Sequence, residues 1–466
     1  MNAKTKKGHP MGLYLLFFTE MWERFSYYGM RGILILYLTK QFVEGGLAID
    51  PKIASLIFGW FTGFVYFTPL IGGWLADNFL GQRKAITIGG ITMMAGQLVL
   101  FSINTHMGMY LGLFLLIIGN GFFKPNISTL VGGLYPDGDK RRDSAFSIFY
   151  MGINLGAFLA PLVIGVLTED IFAVKNAAGE FISHGYRYGF LASAVGMLLG
   201  QIMFNTFAQK YLGDLGKFPS SKKQTSAGED KTAETSLPLT KEERQRVTVI
   251  FVYFFFAIFF FAGFEQAGSS LTLYTDKFIN RMVDLPFIGN YEIPTAWFQS
   301  VNPVFIVMFA PLFAIFWGTK FGQKLTTPLK MGLGMVILGI GFWFMLGSVY
   351  ERSGNIFVNS EDIAIKASIW WLILTYMVHT IGELCLSPVG LSVVTKLSPP
   401  KLASLLMGVW LMSSFFANVV GGYLASSVES LGAGQIFFYI SAFVIICGLA
   451  MIALNRKLVE MMHGVK

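Results

Sequence analysis

Charged residues, cysteines and the motifs of common enzymes are scarce or missing in this chain. Only 13% of its 466 residues are Asp, Glu, Lys or Arg, whereas 54% are hydrophobic. Soluble domains carry about a quarter charged residues, so this composition excludes a water-soluble multidomain protein. The two cysteines, Cys385 and Cys447, both lie in apolar runs, which argues against a disulfide framework. The composition predicts a protein that crosses a membrane many times.

Several motifs that would indicate catalysis are absent from the sequence. The chain has no H-E-x-x-H pair for a metal, no G-x-S-x-G nucleophile and no Gly-rich phosphate loop with a following Lys. We therefore expect no enzyme activity, no metal, no cofactor and no nucleotide-driven pumping. Peptide hydrolysis by detergent-solubilised protein would contradict this expectation. A net charge of +8 can indicate nucleic-acid binding, but here the basic residues follow the membrane topology instead.

Twelve apolar segments have the length of about 20 residues that a membrane helix needs, without the period-two alternation of a barrel strand. An even number of spans places both termini on the same side. Lys and Arg favour that side by roughly three to one, so we predict an all-α membrane protein with cytoplasmic termini. The predicted spans are residues 11–39, 52–77, 84–104, 107–131, 143–168, 187–210, 246–275, 296–317, 329–350, 368–396, 401–428 and 434–455.

One long polar stretch divides these spans into six and six. Residues 213–244 have the composition of a flexible linker. We predict an N-terminal six-helix bundle over residues 1–212, a cytoplasmic linker over 213–244 and a C-terminal six-helix bundle over 245–466. Two such halves that rock about a central site form a common transporter architecture.

The first apolar segment contains an unusual polar stripe, E-M-W-E-R-F-S-Y-Y-G-M-R. At about 100° per residue, its polar side chains fall within roughly 140° on one helix face. A lone charge at mid-membrane costs about 2.5 to 3.5 kcal/mol, so this face must meet partners or water and is expected to line a cavity. The side chains of the stripe are Glu20, Glu23, Arg24, Tyr27, Tyr28 and Arg31.

Three more charged residues lie deep in other apolar segments, namely Lys124, Glu265 and Glu383. The four acids at membrane depth exceed the three bases by one, so a closed cavity approaches neutrality only after it takes up one proton. Arg31 and Lys124 lie in the first half and Glu383 in the second, which suits a zwitterion with a carboxylate and an ammonium group. Alternatively, these charges only pair with one another to hold the halves together.

Four sequence motifs together resemble the proton-dependent oligopeptide transporters of the major facilitator superfamily. They are E-x-x-E-R-F-x-Y-Y-G from Glu20, G-G-W-L-A-D from Gly72, F-Y-M-G-I-N-L-G from Phe149 and G-E-L-C-L-S-P from Gly382. The resemblance covers nearly the whole chain and implies the major facilitator fold. It also implies a proton-coupled symporter of di- and tripeptides that works as a monomer in the plasma membrane, expected to be a bacterial inner membrane.

The resemblance also implies roles for individual residues. It assigns the peptide carboxylate to Arg31 and Lys124 and the peptide amine to Glu383. The other implied substrate contacts are Tyr27, Tyr28, Tyr66, Asn154, Asn302, Ser387 and Trp410. For three of these, core packing is an equal alternative: Tyr66, Asn302 and Trp410. The proton, as the coupling ion, is implied to bind at the cluster of Glu20, Glu23 and Arg24, where an acid takes it up and frees its basic partner, and at Glu265. Whether Glu265 binds proton, peptide or both stays open.

Two departures from the family pattern refine this prediction. Many bacterial members have two extra helices between the halves, but residues 213–244 are too polar for that, so twelve spans are expected. Some relatives bind the proton on a histidine of the second span, where this chain has Phe58 and Gly59, so the proton falls to carboxylates. His379, one turn before Glu383, either tunes that acid or only packs in the helix.

A related transporter of another small anion is the nearest competing function. Plant members of the family carry nitrate, which has no amine and would leave Glu383 without a partner. The combination of Glu383 with Lys124 and Arg31 therefore favours peptides over nitrate.

Overall fold

The structure is a computed structural model built largely of α-helices. Among the described residues, eleven helices are long and apolar enough to cross a membrane. The first helix also has spanning length, 29 residues, but carries the charges of the polar stripe. The prediction of a multi-span, all-α membrane protein is confirmed. Of the predicted linker 213–244, residues 220–238 lie outside the described part. The structure describes residues 8–136, 138–139, 141–219, 239–286, 289–357, 365–399 and 402–465.

The helices are numbered here in chain order. Those of the first half are α1 (Met11–Thr39), α2 (Pro51–Leu75), α3 (Gln82–Ser102), α4 (His106–Gly133), α5 (Arg141–Gly165) and α6 (Tyr186–Leu212). Those that follow are α7 (Lys241–Phe264), α8 (Ser270–Phe278), α9 (Val301–Gly318), α10 (Thr327–Ser353), α11 (Ile369–Leu397), α12 (Ala403–Ser426), α13 (Val428–Leu431), α14 (Ala433–Ala453) and α15 (Asn455–Met461).

Short strands occur only in the connections of the described chain. They are β1 (Val174–Lys175), β2 (Phe181–Ser183), β3 (Ile279–Asn280), β4 (Met282–Leu285), β5 (Gly289–Glu292) and β6 (Ala367–Ser368). Strands β1 and β2 pair antiparallel, as do β4 and β5, whereas β3 and β6 pair in parallel. In the β4–β5 hairpin, Asp284 lies opposite Asn290.

The chain forms two compact units. Unit 1 comprises Met1–Ala48 and Phe64–Glu229, and unit 2 comprises Ile49–Gly63 and Asp230–Lys466. Helix α2 is one continuous helix, but its first half, up to Gly63, is assigned to unit 2 and its second half, from Phe64, to unit 1.

In unit 1, α1 packs against α5 and α6, and α3 packs against α4 and α6. Two glycines of the M-G-I-N-L-G motif bring α5 close to α1. A Cβ atom at Gly152 would lie 2.9 Å from the carbonyl oxygen of Phe17, and one at Gly156 would lie 2.8 Å from Cβ of Arg24. Both distances are too short for a side chain, so the motif serves helix packing beside the polar stripe.

In unit 2, α10 packs against α11 and α14, and α7 packs against α12. Helix α7 begins with a reciprocal cap. The amide of Glu243 donates to Thr240 Oγ1 at 3.2 Å, and the amide of Thr240 donates to Glu243 Oε2 at 2.8 Å. These bonds satisfy amides that a helix start leaves without partners. The core behind this start contains large buried aromatic side chains, namely Tyr253, Phe260, Phe342 and Phe437.

The predicted seventh span is two helices, because a short 3₁₀ turn over Glu265–Gly268 separates α7 from α8. The fully buried Gln266 holds this break. Its Nε2 donates to the carbonyl oxygens of Ala262 at 2.9 Å and Gly421 at 3.0 Å, and its Oε1 accepts from Ser270 Oγ at 2.6 Å. The side chain of Gln266 thus connects the break between α7 and α8 to helix α12.

Replacing Gln266 with leucine is expected to destabilise unit 2 by about 2 to 4 kcal/mol, because buried polar groups lose their partners. The measurement is thermal unfolding of the purified protein in detergent, where the apparent melting temperature should fall by several degrees. Gln323→Leu is the matched control, since Gln323 also donates to a carbonyl, at 3.0 Å, but is exposed. Equal melting temperatures for the two variants would contradict this role of Gln266.

Candidate functional site

The predicted proton-coupling residues of α1 lie together in unit 1. Glu20, Glu23 and Arg24 are 3%, 0% and 4% exposed. Arg24 Nε lies 3.1 Å from Glu20 Oε1 and also donates to Glu23 Oε2. Spacings of three and four residues put these side chains on one helix face, so the cluster forms within a single element. Their role in proton coupling stays a prediction.

The charges in this cluster are unbalanced. Two carboxylates share one guanidinium group, so Glu20, Glu23 and Arg24 sum to minus one when all are ionised. Lys124 of α4 attracts Glu20 electrostatically. Glu20 Oε2 and Arg24 Nη2 are buried and find no hydrogen-bond partner among the described residues. A buried, incompletely paired carboxylate is costly, so this arrangement is suited to take up a proton.

The base predicted to bind the peptide carboxylate contacts an aromatic ring. Lys124 Nζ lies 4.0 Å from the ring centre of Tyr66, which belongs to the second half of α2. Both residues are half-buried. An ammonium group over an aromatic face is favourable, so the Tyr66 ring stabilises the charged form of Lys124.

The remaining residues of the polar stripe follow Arg24 along α1. The guanidinium carbon of Arg24 lies 5.4 Å from the ring centre of Tyr27, which is 4% exposed. The rings of Tyr27 and Tyr28 meet edge to face, with centres 5.3 Å apart. Tyr28 and Arg31 are half-buried, so the stripe becomes more accessible towards Arg31.

In unit 2, Glu383, the residue predicted to bind the peptide amine, accepts a hydrogen bond from a neutral side chain. Asn302 Nδ2 on α9 donates to Glu383 Oε2 at 3.0 Å and to Thr380 Oγ1 at 2.9 Å. Glu265 repels Glu383 electrostatically. The acid is therefore oriented by an amide and destabilised by a second acid, which favours a cation or a proton as its ligand.

Asn154 and Ser387, two other predicted contacts, differ in their hydrogen bonding. Asn154 Nδ2 on α5 donates to the carbonyl oxygen of Tyr150 at 2.9 Å, inside its own helix. Ser387 lies one turn after Glu383, and its buried Oγ finds no partner among the residues that the structure describes. Ser387 thus retains hydrogen-bonding capacity, whereas the donor of Asn154 is already engaged.

Trp410 on α12 belongs to the buried core of unit 2 and is 7% exposed. A Cβ atom at Gly390 of α11 would lie 2.7 Å from Cη2 of its ring. The indole therefore fills the space left by this glycine. The contact favours core packing over the predicted substrate contact.

His379 is likewise packed in unit 2. It is 2% exposed, and its ring centre lies 4.7 Å from that of Phe342 on α10. A Cβ atom at Gly341 would lie 2.7 Å from His379 Nε2, and this nitrogen has no hydrogen-bond partner among the described residues. The ring faces α10, which favours the packing interpretation.

Glu265 lies at the break between α7 and α8 and is half-buried. The break receives a second support from Gln299, before α9. Gln299 Nε2 donates to the carbonyl oxygen of Ala267 at 2.5 Å and to Thr272 Oγ1 at 2.9 Å. The position of Glu265 thus depends on the neighbouring Gln266 and on Gln299, which is distant in sequence.

Three polar residues of these sites escaped the sequence-based prediction, namely Asn120, Thr380 and Gln299. Asn120 Nδ2 donates to Glu23 Oε1 at 3.3 Å. All three are neutral, and a search for ionisable residues passes over them. A search for polar residues one helical turn from each charge at membrane depth finds Asn120 beside Lys124 and Thr380 beside Glu383. Among the residues described, no group of three or more His, Cys, Asp or Glu is placed to hold a metal ion.

Comparison with known proteins shows similarity along the whole chain. The family model described as the POT family matches residues 83–212 and 220–437. The uncharacterized transporter YclF of Bacillus subtilis is 35% identical over 98% of this chain and 96% of its own. A di-/tripeptide transporter of Lactococcus lactis subsp. cremoris is 28% identical over 100% and 99%. The crystal structure of the peptide transporter POT in complex with sulfate matches with a TM-score of 0.84 and 34% identity, over 99% and 97%.

Proposed function

The chain belongs to the POT family of peptide transporters, and from this premise we propose that it is a proton-coupled symporter of di- and tripeptides. It is a multi-pass membrane protein of a transporter family and not an enzyme. The observation that carries the proposal is the buried cluster in which two carboxylates, Glu20 and Glu23, share Arg24.

The proposed topology has twelve spans and cytoplasmic termini. Helix α1 is the span added to the eleven apolar helices, because its charges are paired or half-buried within unit 1. The excess of Lys and Arg on one side supports cytoplasmic termini. The relatives compared are bacterial, which supports a bacterial inner membrane, and each copy is proposed to act as a monomer that carries protons without a cofactor.

Proton coupling is proposed to begin at the α1 cluster. When Glu20 or Glu23 takes up a proton, its attraction for Arg24 and Lys124 falls. Lys124 is then available to attract another carboxylate, that of a peptide. Loss of the proton restores the original pairing and releases the peptide. Glu265 is proposed as a second acid whose protonation relieves its repulsion of Glu383.

Peptide binding is proposed to use a cationic and an anionic anchor. Arg31 and Lys124 bind the carboxylate, and Glu383, oriented by Asn302, binds the amine. Arg31 can offer two parallel N–H donors to a carboxylate, and Lys124 adds a point charge. The tyrosines Tyr27, Tyr28 and Tyr66 and the hydroxyl of Ser387 are proposed to supply neutral contacts.

Two anchors select peptides by length. An extended chain gains at most about 3.3 to 3.6 Å per residue, so two fixed charged anchors discriminate between peptides of different length. Losing one charged contact costs about 1.5 to 3 kcal/mol, or roughly tenfold or more in affinity. Alanine and tetraalanine are therefore expected to compete at least about tenfold more weakly than dialanine and trialanine.

The measurement is competition against labelled dialanine in counterflow into proteoliposomes. Dialanine with its C-terminus amidated is the control, because it has the correct length but lacks the carboxylate. It should compete as weakly as alanine does. Equal competition by all chain lengths would contradict the two-anchor arrangement.

A further inference from the structure

We propose that Asn120 is a positioning residue for the Glu23 carboxyl group and that it serves both protonation states of the proton-coupling cluster. This inference rests on the proposed proton coupling. Asn120 lies on α4, is 0% exposed, and donates from Nδ2 to Glu23 Oε1 at 3.3 Å. It is the neutral member of an otherwise ionic cluster.

The backbone around Asn120 is fixed by close packing on both sides. A Cβ atom at Gly119 would lie 2.6 Å from the carbonyl oxygen of Gly89 on α3. One at Gly121 would lie 3.0 Å from the carbonyl oxygen of Thr68 on α2. The sequence G-N-G thus places one amide side chain where three helices meet, and leaves its backbone little room to shift.

The chemistry of an amide explains why asparagine suits this position. A carboxylate only accepts hydrogen bonds, whereas a protonated carboxyl group also donates one. Asn120 Nδ2 donates to the charged form of Glu23. Asn120 Oδ1 is buried and finds no partner among the described residues, so rotation of the amide by about 180° offers an acceptor to the protonated form. Glu23 can therefore gain or lose a proton without leaving its own group unpaired.

Asn120 also connects the cluster to the proposed peptide anchor. It precedes Lys124 by four residues, so both side chains lie on one face of α4. The groups that act electrostatically on the cluster are Glu20, Glu23, Arg24 and Tyr28 on α1 and Lys124 on α4. A change in the Asn120–Glu23 hydrogen bond therefore occurs one helical turn from Lys124, the base proposed to respond when the cluster takes up a proton.

The test compares Asn120→Leu with the wild type in proteoliposomes that contain the full chain. Leucine keeps the approximate size of asparagine and removes both donor and acceptor. We expect uptake of labelled dialanine driven by a proton gradient to fall about ten- to a hundredfold, as for loss of a hydrogen bond to a charged group. Counterflow without a gradient should persist, and the pH at half-maximal driven uptake should rise, because the hydrogen bond lost to the charged carboxylate is stronger than the one lost to the protonated carboxyl group.

Three controls separate positioning from a structural role. Asn120→Ser keeps a donor and an acceptor and should restore part of the driven uptake. Asn126→Leu removes a buried asparagine of the same helix whose Nδ2 donates to the carbonyl oxygen of Phe122 at 2.7 Å, and should leave the pH profile unchanged. Combining Asn120→Leu with Glu23→Gln, which removes driven uptake by itself, should leave counterflow at the level of Glu23→Gln alone, because the two residues act through one bond.

The outcomes distinguish this inference from the proposed function. Equal loss of driven uptake and counterflow in Asn120→Leu, an unchanged pH profile, or counterflow in the double variant well below that of Glu23→Gln would overturn the role of Asn120 alone. A wild type that transports dialanine without responding to the proton gradient would overturn both proposals, and this result appears in the wild-type arm before any variant is compared.

Discussion

Replacing Glu23 with glutamine is expected to abolish gradient-driven accumulation of dialanine while leaving counterflow in place. Glutamine has the shape of a protonated glutamate but cannot release a proton. It also removes the ion pair with the Arg24 guanidinium group, which in the wild type is shared between Glu20 and Glu23. Accumulation in proteoliposomes should fall to the level that the peptide gradient alone supports, a loss of about tenfold or more under a one-unit pH gradient.

Glu169→Gln is the matched control for this prediction. Glu169 is an acid of the same unit and is 3% exposed, and it lies in the helical turn Val166–Ile171 that follows α5. Removal of its charge should leave accumulation driven by the proton gradient. Full accumulation in Glu23→Gln, or parallel losses of accumulation and counterflow in both variants, would contradict the assignment of the proton to the α1 cluster.

Replacing Glu383 with glutamine is expected to weaken peptides that carry a free amine. The side-chain oxygen of glutamine still accepts the hydrogen bond that Asn302 donates at 3.0 Å, so the local structure should persist while the charge disappears. Loss of a charge-assisted contact costs about 1.5 to 3 kcal/mol, which predicts a ten- to hundredfold weaker binding of dialanine. Competition in counterflow measures this change.

The control for Glu383 is a change in the substrate. N-acetylated dialanine lacks the amine, so its weak competition should be the same in the wild type and in Glu383→Gln. Glu351→Gln is a second control, because Glu351 on α10 accepts from Trp371 Nε1 at 2.5 Å and is not part of the proposed site. Equal weakening of both ligands in Glu383→Gln would show that the acid supports structure instead of binding the amine.

The α1 cluster could be predicted from the sequence because it depends on helix periodicity alone. Residues 20, 23 and 24 share a face in any α-helix, and the cost of charge in a membrane requires that they find partners. Tertiary structure adds Asn120, whose Nδ2 donates to Glu23 across the α1–α4 contact. No local spacing reveals such a bond between neutral and charged residues 97 positions apart.

The contacts of unit 2 were less accessible to sequence reasoning. Asn302 and Glu383 are separated by 81 positions, and only the family resemblance named both. The break between α7 and α8 contains no proline, whereas α4 and α5 continue through Pro125 and Pro161. Hydrophobicity cannot indicate this break, because Gln299 stabilises it from outside the segment.

The role of Trp410 could not be decided from the sequence. The family resemblance implied a substrate contact, and core packing was an equal alternative from the sequence. Its contact with Gly390 favours packing, because a glycine on a neighbouring helix provides room for the indole ring. The sequence does not reveal that Gly390 and Trp410 are neighbours in the folded chain.

The most direct test of the central claim is peptide-dependent proton movement in proteoliposomes that contain the wild-type protein. A pH-sensitive dye trapped in the lumen reports the internal pH while dialanine is added outside at equal starting pH and with the membrane potential clamped. A proton-coupled symporter acidifies the lumen only when dialanine is present, and alanine at the same concentration gives little change. Entry of labelled dialanine without acidification would contradict proton coupling.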